Sequence, residues 1–561
     1  MNRLSRVIRK INKQNITRGI RYVKKNGFFA LNAVIKSHVQ DSVHYHEWFM
    51  ANRITPEQLQ MQKGIRFAYQ PLISLLVPAY HTPIKMLEEL LESVQNQSYE
   101  NWELCIAVGS ADDSAMKAVL ERYHSEDERI QYRILTVNKG ISENTNEALA
   151  MVKGEFVAPL DHDDLLEPDA LFEVVKALQD HMDIVYTDED KVNAELSEYS
   201  EPNFKPDFSI DLLRSQNYIT HLFVVRTEIL QKVGGFRKEF DGAQDYDVIL
   251  RCIEQTEQIA HVPKILYHWR MIEGSTAVDP ESKMYCYEAG KAAIQQHLKR
   301  LGIAAEVEHA KLLGRYHVRY ELVQRPTVTV VIASAVTEED RRAVEKAIRQ
   351  NGGYDRIEFI YSDQKNPAAA YNSGAEAAHG EYLLFINGRI QLVTKGAVRE
   401  MLGLCMLENV GAVGTKIRTA NHKITDAGLI LGYRGAVGHA FRGTDVRIHS
   451  YMNRAEQNGN YSAVSGDVLM TSKALYEAVG GFVQDEDWEY AQVQFCRQLG
   501  LQNRRIVFHG FAEWCDYQTN RNIEEREQKQ CSESKWEFAK APDPFYNINM
   551  TLTGQLFTLD L

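Results

Sequence analysis

The stretch Asn146-Glu-Ala-Leu-Ala-Met-Val-Lys-Gly-Glu-Phe156 recurs as Asn372-Ser-Gly-Ala-Glu-Ala-Ala-His-Gly-Glu-Tyr382, 226 residues later and without a gap. Further on, Val233-Gly-Gly-Phe236 recurs as Val479-Gly-Gly-Phe482, 246 residues later. Ahead of both, the strand-like run Leu72-Ile-Ser-Leu-Leu-Val77, ended by Pro78, is answered by a restart at Thr327, Val328-Thr-Val-Val-Ile332, an offset of about 255. The second copy is therefore some 29 residues shorter before its Asn. A repeat of this length predicts two copies of one supersecondary plan. In the first copy Met86, Leu87, Leu90, Leu91 and Val94 take helical spacing, and Glu103-Leu-Cys-Ile-Ala-Val108 reads as a second strand. Strands alternating with helices predict an α/β fold with a mostly parallel, Rossmann-like sheet in each copy.

Working outward, five regions are expected: a basic helical arm over 1–70, a first α/β domain over 71–280, a helical linker over 281–325, a second domain over 326–520 and a C-terminal tail over 521–561. A chain of 561 residues suits two such domains at roughly 100–200 residues each. Hydrophobic residues at 44% and charged residues at 25% indicate a globular protein, and a net charge of −12 argues against a broad nucleic-acid surface. The arm differs from the body. Met1–Gln40 holds ten Lys or Arg and no Asp or Glu, with Leu4, Val7, Ile8 and Ile11 on one helical face. Such a helix suits either an anionic lipid surface or a solvated or dimer-contact role. Seven scattered cysteines without a CxxC pair, no leader-like apolar run at Met1–Lys13, and no stretch near the roughly 18 apolar residues of a membrane span point to a cytoplasmic setting.

Chemistry concentrates in the first copy. In Val157-Ala-Pro-Leu-Asp161-His-Asp163-Asp164 a short apolar strand runs into three carboxylates, at the strand end where α/β sheets bind ligands. Asp161 and its i+2 neighbour Asp163 can share Mg²⁺ or Mn²⁺, hard ions that take oxygen ligands and phosphates. Equally, Asp161 or Asp164 can cap the helix expected near Pro168. After Gly234-Gly-Phe236, Asp245 opens a helix with Val248, Ile249, Cys252 and Ile253 as its apolar residues. It suits a general base, or an acid placed at the helix dipole. In Ile265-Leu-Tyr-His268-Trp-Arg270, His268 can complete a metal site or serve the core, and Arg270 can meet phosphate.

The ordered set Leu75-Leu-Val-Pro-Ala-Tyr80, Asn138-Lys-Gly-Ile-Ser142, Asp161-His-Asp163-Asp164, Gly234-Gly-Phe236, Gln244-Asp245 and Tyr267-His-Trp-Arg270 resembles family 2 glycosyltransferases of the GT-A fold. The nearest likeness is to bacterial enzymes building rhamnan, O-antigen or capsule polysaccharide. The resemblance implies two tandem GT-A domains. It implies a metal- and diphosphate-binding pair in Asp161 and Asp163, a general base in Asp245, a metal-associated His268, and Pro78, Ala79 and Tyr80 beside the nucleotide. A UDP- or dTDP-sugar donor, a lipid-linked or growing glycan acceptor and a peripheral place on the inner face of the cell membrane follow from it. The second strand departs from the family by ending in Val108 rather than Asp, which leaves Asp112 as the candidate nucleotide-binding acid.

Carried to the second copy by the same offsets, Asp161 becomes Asn387, Asp163 becomes Arg389 and Asp245 becomes Ala491. An arginine repels a divalent ion where a carboxylate would hold it. The second domain, which resembles the family more weakly through Gly411-Ala-Val-Gly414, Asp426-Ala-Gly428 and Ser462-Ala-Val-Ser-Gly466, is expected to fold alike and to catalyse nothing. Two other readings are a carbohydrate-binding scaffold with both copies inert and a nucleotidyltransferase. The acids retained in the first copy speak against one, and the lack of a Gly-rich basic loop at Leu75–Pro83 against the other.

Overall fold

A computed structural model describes residues 44–272, 284–333, 337–484, 486–517 and 533–560. Residues 1–43 of the arm, with all ten of its Lys and Arg up to Gln40, the segment Gly274-Ser-Thr276 and Asp485 lie outside the described residues. The chain forms two compact units. One is Arg53–Val323 with Pro544–Asn549; the other is built on Gln324–Asp543 with Met550–Leu561.

The first unit carries β1 (Ile73–Ala79), β2 (Trp102–Val108), β3 (Ile130–Ile134), β4 (Phe156–Pro159), β5 (Leu165–Leu166), β6 (Ile184–Asn193), β7 (Tyr199–Asn203), β8 (Phe223–Arg226) and β9 (Ile259–Met271). They form one sheet in the order β3-β2-β1-β4-β8-β6-β9-β5, with β7 paired to β6. The block β3-β2-β1-β4 is parallel, and β8 runs antiparallel to both β4 and β6. Every residue of β1 and β2 is buried, as expected of parallel strands covered on both faces. The helix Ile84–Gln95 covers one face through Leu87, Leu90, Leu91 and Val94. Because β1, β2 and β4 run the same way, Pro78–Tyr80, Asp112 and Asp161–Asp164 leave the sheet at one edge. A hairpin, β10 (Ala305–His309) with β11 (Tyr316–Tyr320), completes the unit.

The second unit repeats the plan with β12 (Val328–Ala333), β13 (Ile357–Ser362), β14 (Tyr382–Asn387), β15 (Ile390–Leu392), β16 (Val410–Thr419), β17 (Ile424–Asp426), β18 (Leu429–Leu431), β19 (Val437–His439), β20 (Asn458–Tyr461), β21 (Val468–Ser472) and β22 (Arg505–Asp516). Its sheet order, β13-β12-β14-β21-β16-β22-β15 with β17 on β16, is the first order with β3 removed, and β20 adds to it by pairing β22. The registers agree with the sequence offsets. Ile73 faces Phe156 and Trp102 as Val328 faces Tyr382 and Ile357, and Phe156 faces Arg226 as Tyr382 faces Ser472. The shortfall also has a physical form. Between β2 and the helix Ile141–Leu149 the first unit has the helix Ser114–Glu126 and β3, whereas β13 leads straight into the helix Pro367–Ala377.

Hydrogen bonds explain why those particular strings recur. Asn146 accepts from the Phe236 amide (2.9 Å) and donates to the Phe236 carbonyl (2.7 Å); Asn372 does the same to Phe482 (3.0 and 2.7 Å). The two repeated strings are thus one device. Gly235 and Gly481 both sit at φ +68°, and a Cβ would fall 2.5 Å from Asn146 Oδ1 and 2.8 Å from Asn372 Oδ1 respectively. Glycine is needed for both the left-handed turn and the close approach. Likewise Ser74 joins Glu103 (2.6 Å) and the Gly154 amide (3.0 Å), as Thr329 joins Glu358 (2.5 Å) and the Gly380 amide (2.9 Å).

The six cysteines among the described residues are buried and in no disulfide, as small hydrophobes would be. Among the described residues no helix is long and apolar enough to cross a membrane.

Candidate active site

Beyond β4 the chain turns at Asp161, with the Asp164 amide on the Asp161 carbonyl (3.3 Å). Neither Asp161 nor Asp164 caps a helix. The helix that follows starts at Ala170 behind Asp169. Instead Asp164 is buried, accepting from the Tyr267 hydroxyl (2.6 Å) and the Arg270 amide (2.8 Å). Burial, with the charges of Asp161 and Asp163, lifts its carboxyl well above the usual range. Asp164 therefore ties the acidic turn to β9, while Asp161, whose side chain is 43% exposed, faces outward. Burial also raises the Asp163 carboxyl; His162 and Arg270 oppose this and Asp161 adds to it. Among the described residues no Lys or Arg forms an ion pair with Asp161 or Asp163.

Asp245 lies in the first turn of the helix Gln244–Cys252, where the dipole favours an anion. Its Oδ2 receives Asn217 Nδ2 (2.8 Å). Burial raises its carboxyl above the usual range, His221 works against this, and Asp161 works with it. Asp161, His221 and Asp245 thus share one electrostatic neighbourhood.

His221 is the residue that sequence reasoning missed. Its Nε2 lies 3.6 Å from Asp161 Oδ2, its ring stacks on Tyr267 (centroids 4.6 Å apart, 12° between planes), and its Nδ1 is buried without a partner. It stands at the end of a turn, 217–221, that a buried polar frame holds. Thr220 takes φ +43°, a strained value for a β-branched residue, and persists because its surroundings over-determine it. Its hydroxyl donates to Glu189 (2.6 Å), its amide to Asn217 Oδ1 (3.3 Å), and the His221 amide to Glu189 (3.0 Å). Beneath, fully buried Lys205 donates from Nζ to the carbonyls of Ile219 (2.6 Å) and His221 (2.5 Å). The frame comes from Asp188, Glu189 and Asp190 on β6, a run of three acids in a buried strand. That run, Thr187-Asp-Glu-Asp190, was the available signal, since charges are rarely placed in a covered strand without partners.

His268 and Arg270 depart from their expected roles. His268 is buried with Nδ1 on Asp190 (2.5 Å) and Nε2 on Glu167 (2.9 Å), so neither nitrogen is turned to a metal. Burial alone would lower its pKa, but the two carboxylates more than offset this and lift it to about 9. It is an imidazolium between two anions, and Arg53 closes the cluster on Glu167 (2.6 Å). Arg270 has no exposed side-chain surface; it grips the Asp163 carbonyl through Nε (2.7 Å) and Glu89 through a terminal nitrogen (2.6 Å). Through these contacts it positions the acidic turn. Pro78 and Ala79 are buried at the end of β1 and Tyr80 is exposed beside them. Asp112 is exposed, while Asp113 caps the next helix through the Met116 amide (3.0 Å).

At matched positions the second sheet is chemically different. Asn387 stands for Asp161 and hydrogen-bonds Asp467, which stands for His221 (3.4 Å). By strand register Lys416, Ile417 and Arg418 of β16 replace Asp188, Glu189 and Asp190 of β6, and Ile390 replaces Asp164. In the acidic run near Ala491, Asp487 caps the helix Trp488–Leu501 through the Tyr490 amide (2.9 Å).

Residues 74–234 match the Glycosyl transferase family 2 model. The chain is 31% identical, over 91% of its length, to an uncharacterised protein, y4gI, of Sinorhizobium fredii, and covers 60% of that protein. It is 29% identical, again over 91%, to the O-antigen biosynthesis protein RfbC of Myxococcus xanthus, covering 43% of it. Chondroitin synthase of Escherichia coli is 27% identical over 42% of this chain and 33% of its own. The chain thus spans about half the length of the first two relatives. The matched segment runs from β1 through the acidic turn and the 217–221 turn to the Gly-Gly corner, so the likeness to family 2 glycosyltransferases lies on the first of the chain's two sheets.

Proposed function

We propose that the first unit transfers a sugar from a nucleotide-sugar to a hydroxyl of a growing cell-surface polysaccharide, with inversion at the anomeric carbon, and that the second unit does no chemistry. One observation carries this reading. Two copies of one sheet keep the same order, registers and structural hydrogen bonds, and they differ where acids gather at one edge. What the fold itself requires is common to both, so the acids peculiar to the first copy answer to something other than folding.

In this reaction the acceptor oxygen attacks the anomeric carbon. The bond from that carbon to the diphosphate oxygen breaks, its electron pair leaves with the nucleotide, and the acceptor proton passes to Asp245. Three features favour Asp245 as base: its raised carboxyl, its Asn217 hydrogen bond that orients one oxygen, and its place beside Asp161. Asp161 and Asp163 form a hard-oxygen donor set that among the described residues no Lys or Arg ion pair occupies, and a divalent cation suits that set. Asp161 and Asp163 would hold Mg²⁺ or Mn²⁺, which would supply charge neutralisation for the departing diphosphate. Arg270 and Asp164 fix the turn that carries those carboxylates. Tyr80, exposed at the end of β1, offers a face to the UDP or dTDP base. A lipid-linked acceptor is supported by the ten basic residues of the N-terminal arm, each worth roughly 1 kcal/mol beside anionic lipid. An O-antigen-like product is the reading suggested by the name of the Myxococcus relative.

The test is nucleotide release from a panel of UDP-, dTDP- and GDP-sugars with Mn²⁺. Wild type is expected to release nucleotide from one donor class, and Asp161→Ala to lose that activity. Equal release by the two proteins would overturn the site.

A further inference from the structure

The C-terminal segment Pro544–Asn549 belongs to the compact body of the first unit, more than 200 residues after that unit otherwise ends. Asn547 is only 3% exposed. Its Nδ2 donates to Asp188 Oδ2 (2.7 Å) and to the Lys205 carbonyl (2.9 Å), and its Oδ1 accepts from the Asn549 amide (3.0 Å). Asp188 has no exposed surface; its other oxygen receives the Lys205 amide (2.9 Å) and His261 Nε2 (2.8 Å). Lys205 in turn holds the Ile219 and His221 carbonyls. A continuous line of buried hydrogen bonds therefore runs from Asn547 through Asp188 and Lys205 to the turn that presents Asn217 to Asp245 and His221 to Asp161.

We propose that Asn547 is a positioning residue for the first-copy site, holding Asp188 and Lys205 where they fix the 217–221 turn. The buried Asp188 carboxylate accepts three donors, and removing Asn547 leaves one oxygen with none. An unmatched buried charge of that kind is among the costliest local defects in a protein. The structure can relieve it by letting Lys205 and its backbone shift toward Asp188. That shift withdraws support from a turn already strained at Thr220, so the loss travels to His221 and Asn217. Among the described residues the second copy has no equivalent line, since the basic Lys416 stands for Asp188. Ile548 serves as an internal control, because it lies in the same segment and is 62% exposed. The effect on turnover rests on the proposed function; the effect on the turn does not.

The experiment is amide hydrogen exchange of the full chain as wild type, Asn547→Ala, Ile548→Ala and the exchanged pair Asp188→Asn with Asn547→Asp. Loss of one hydrogen bond to a buried charge predicts exchange at 217–221 faster by about tenfold or more in Asn547→Ala. Ile548→Ala should stay within about twofold of wild type, and the exchanged pair should recover part of the protection. In sugar transfer, kcat should fall in Asn547→Ala while the donor KM stays within about twofold. If Asn547→Ala fails to fold, Asn547→Ser, which keeps a donor hydroxyl, carries the same comparison. Unchanged exchange at 217–221 in the folded variant, or equal changes from Asn547→Ala and Ile548→Ala, overturns the proposal. Since exchange requires no turnover, an inactive wild type would sink the proposed function and leave this result standing.

Discussion

Replacing His268 by Gln should flatten the stability of this chain between pH 6.5 and 9. The ring lies between Asp190 and Glu167, and its pKa rises from 6.5 to about 9 in the folded protein. A shift of about 2.5 units at about 1.4 kcal/mol each corresponds to about 3 kcal/mol. The sign follows from the direction. The folded protein binds this proton more tightly than the unfolded chain, so the stabilisation is fully present below pH 6.5. It is lost as pH rises through about 9. Burial and the carboxylates also raise or lower other histidines. His261, between Asp188 and Asp207, is raised in the same sense, so the wild-type curve alone does not isolate His268. The difference between wild type and His268→Gln does. Urea midpoints measured at half-unit steps from pH 6 to 9.5 should fall for wild type and fall less for the variant, the curves converging at the alkaline end. Parallel curves across the whole range would refute a charged His268.

Asp245→Asn should lower sugar transfer by about 10²–10⁴-fold, the usual contribution of a general base, with donor affinity by calorimetry unchanged. Because burial raises the Asp245 carboxyl, the acid limb of wild-type activity should lie above the ordinary carboxylate range, read from a pH–rate profile. Gly235→Ala and Gly481→Ala should each destabilise by about 1–3 kcal/mol, through a left-handed φ and a collision with Asn146 or Asn372, measured by thermal denaturation. Arg270→Lys keeps the charge but forfeits the fork that joins the Asp163 carbonyl to Glu89. A loss of about 3 kcal/mol and a raised Mn²⁺ requirement for transfer are expected.

How much of this was readable beforehand follows from the range over which each feature is encoded. The duplication was legible because Asn146 with Gly235, and Asn372 with Gly481, are paired local strings that satisfy one hydrogen-bonding device. The 29-residue shortfall was countable, but only the sheet order shows that it is one helix and one edge strand. Asp161, Asp163 and Asp245 were visible as carboxylates at element ends. The structure adds that Asp161 is near enough to raise the Asp245 carboxyl. His221 carries no motif; it acquires its role from stacking on Tyr267 and facing Asp161, residues 46 and 60 positions away. His268 was misplaced for the converse reason. Its position after a strand suits a metal ligand, but the two acids that claim it lie 78 and 101 residues earlier in the chain. Asn547 had no local signal at all, being one polar residue in a segment that joins the first unit from the far end of the sequence.

The central claim is that two like sheets have divided, one keeping the chemistry and the other only the fold. It is tested most directly by sugar transfer in variants at the matched positions Asp161 and Asn387. Asp161→Asn, which gives the first copy the second copy's residue, should reduce transfer by about a hundredfold or more, while Asn387→Ala should leave it within about twofold of wild type. Transfer that survives in Asp161→Asn and disappears in Asn387→Ala would contradict it and move the working site to the other sheet.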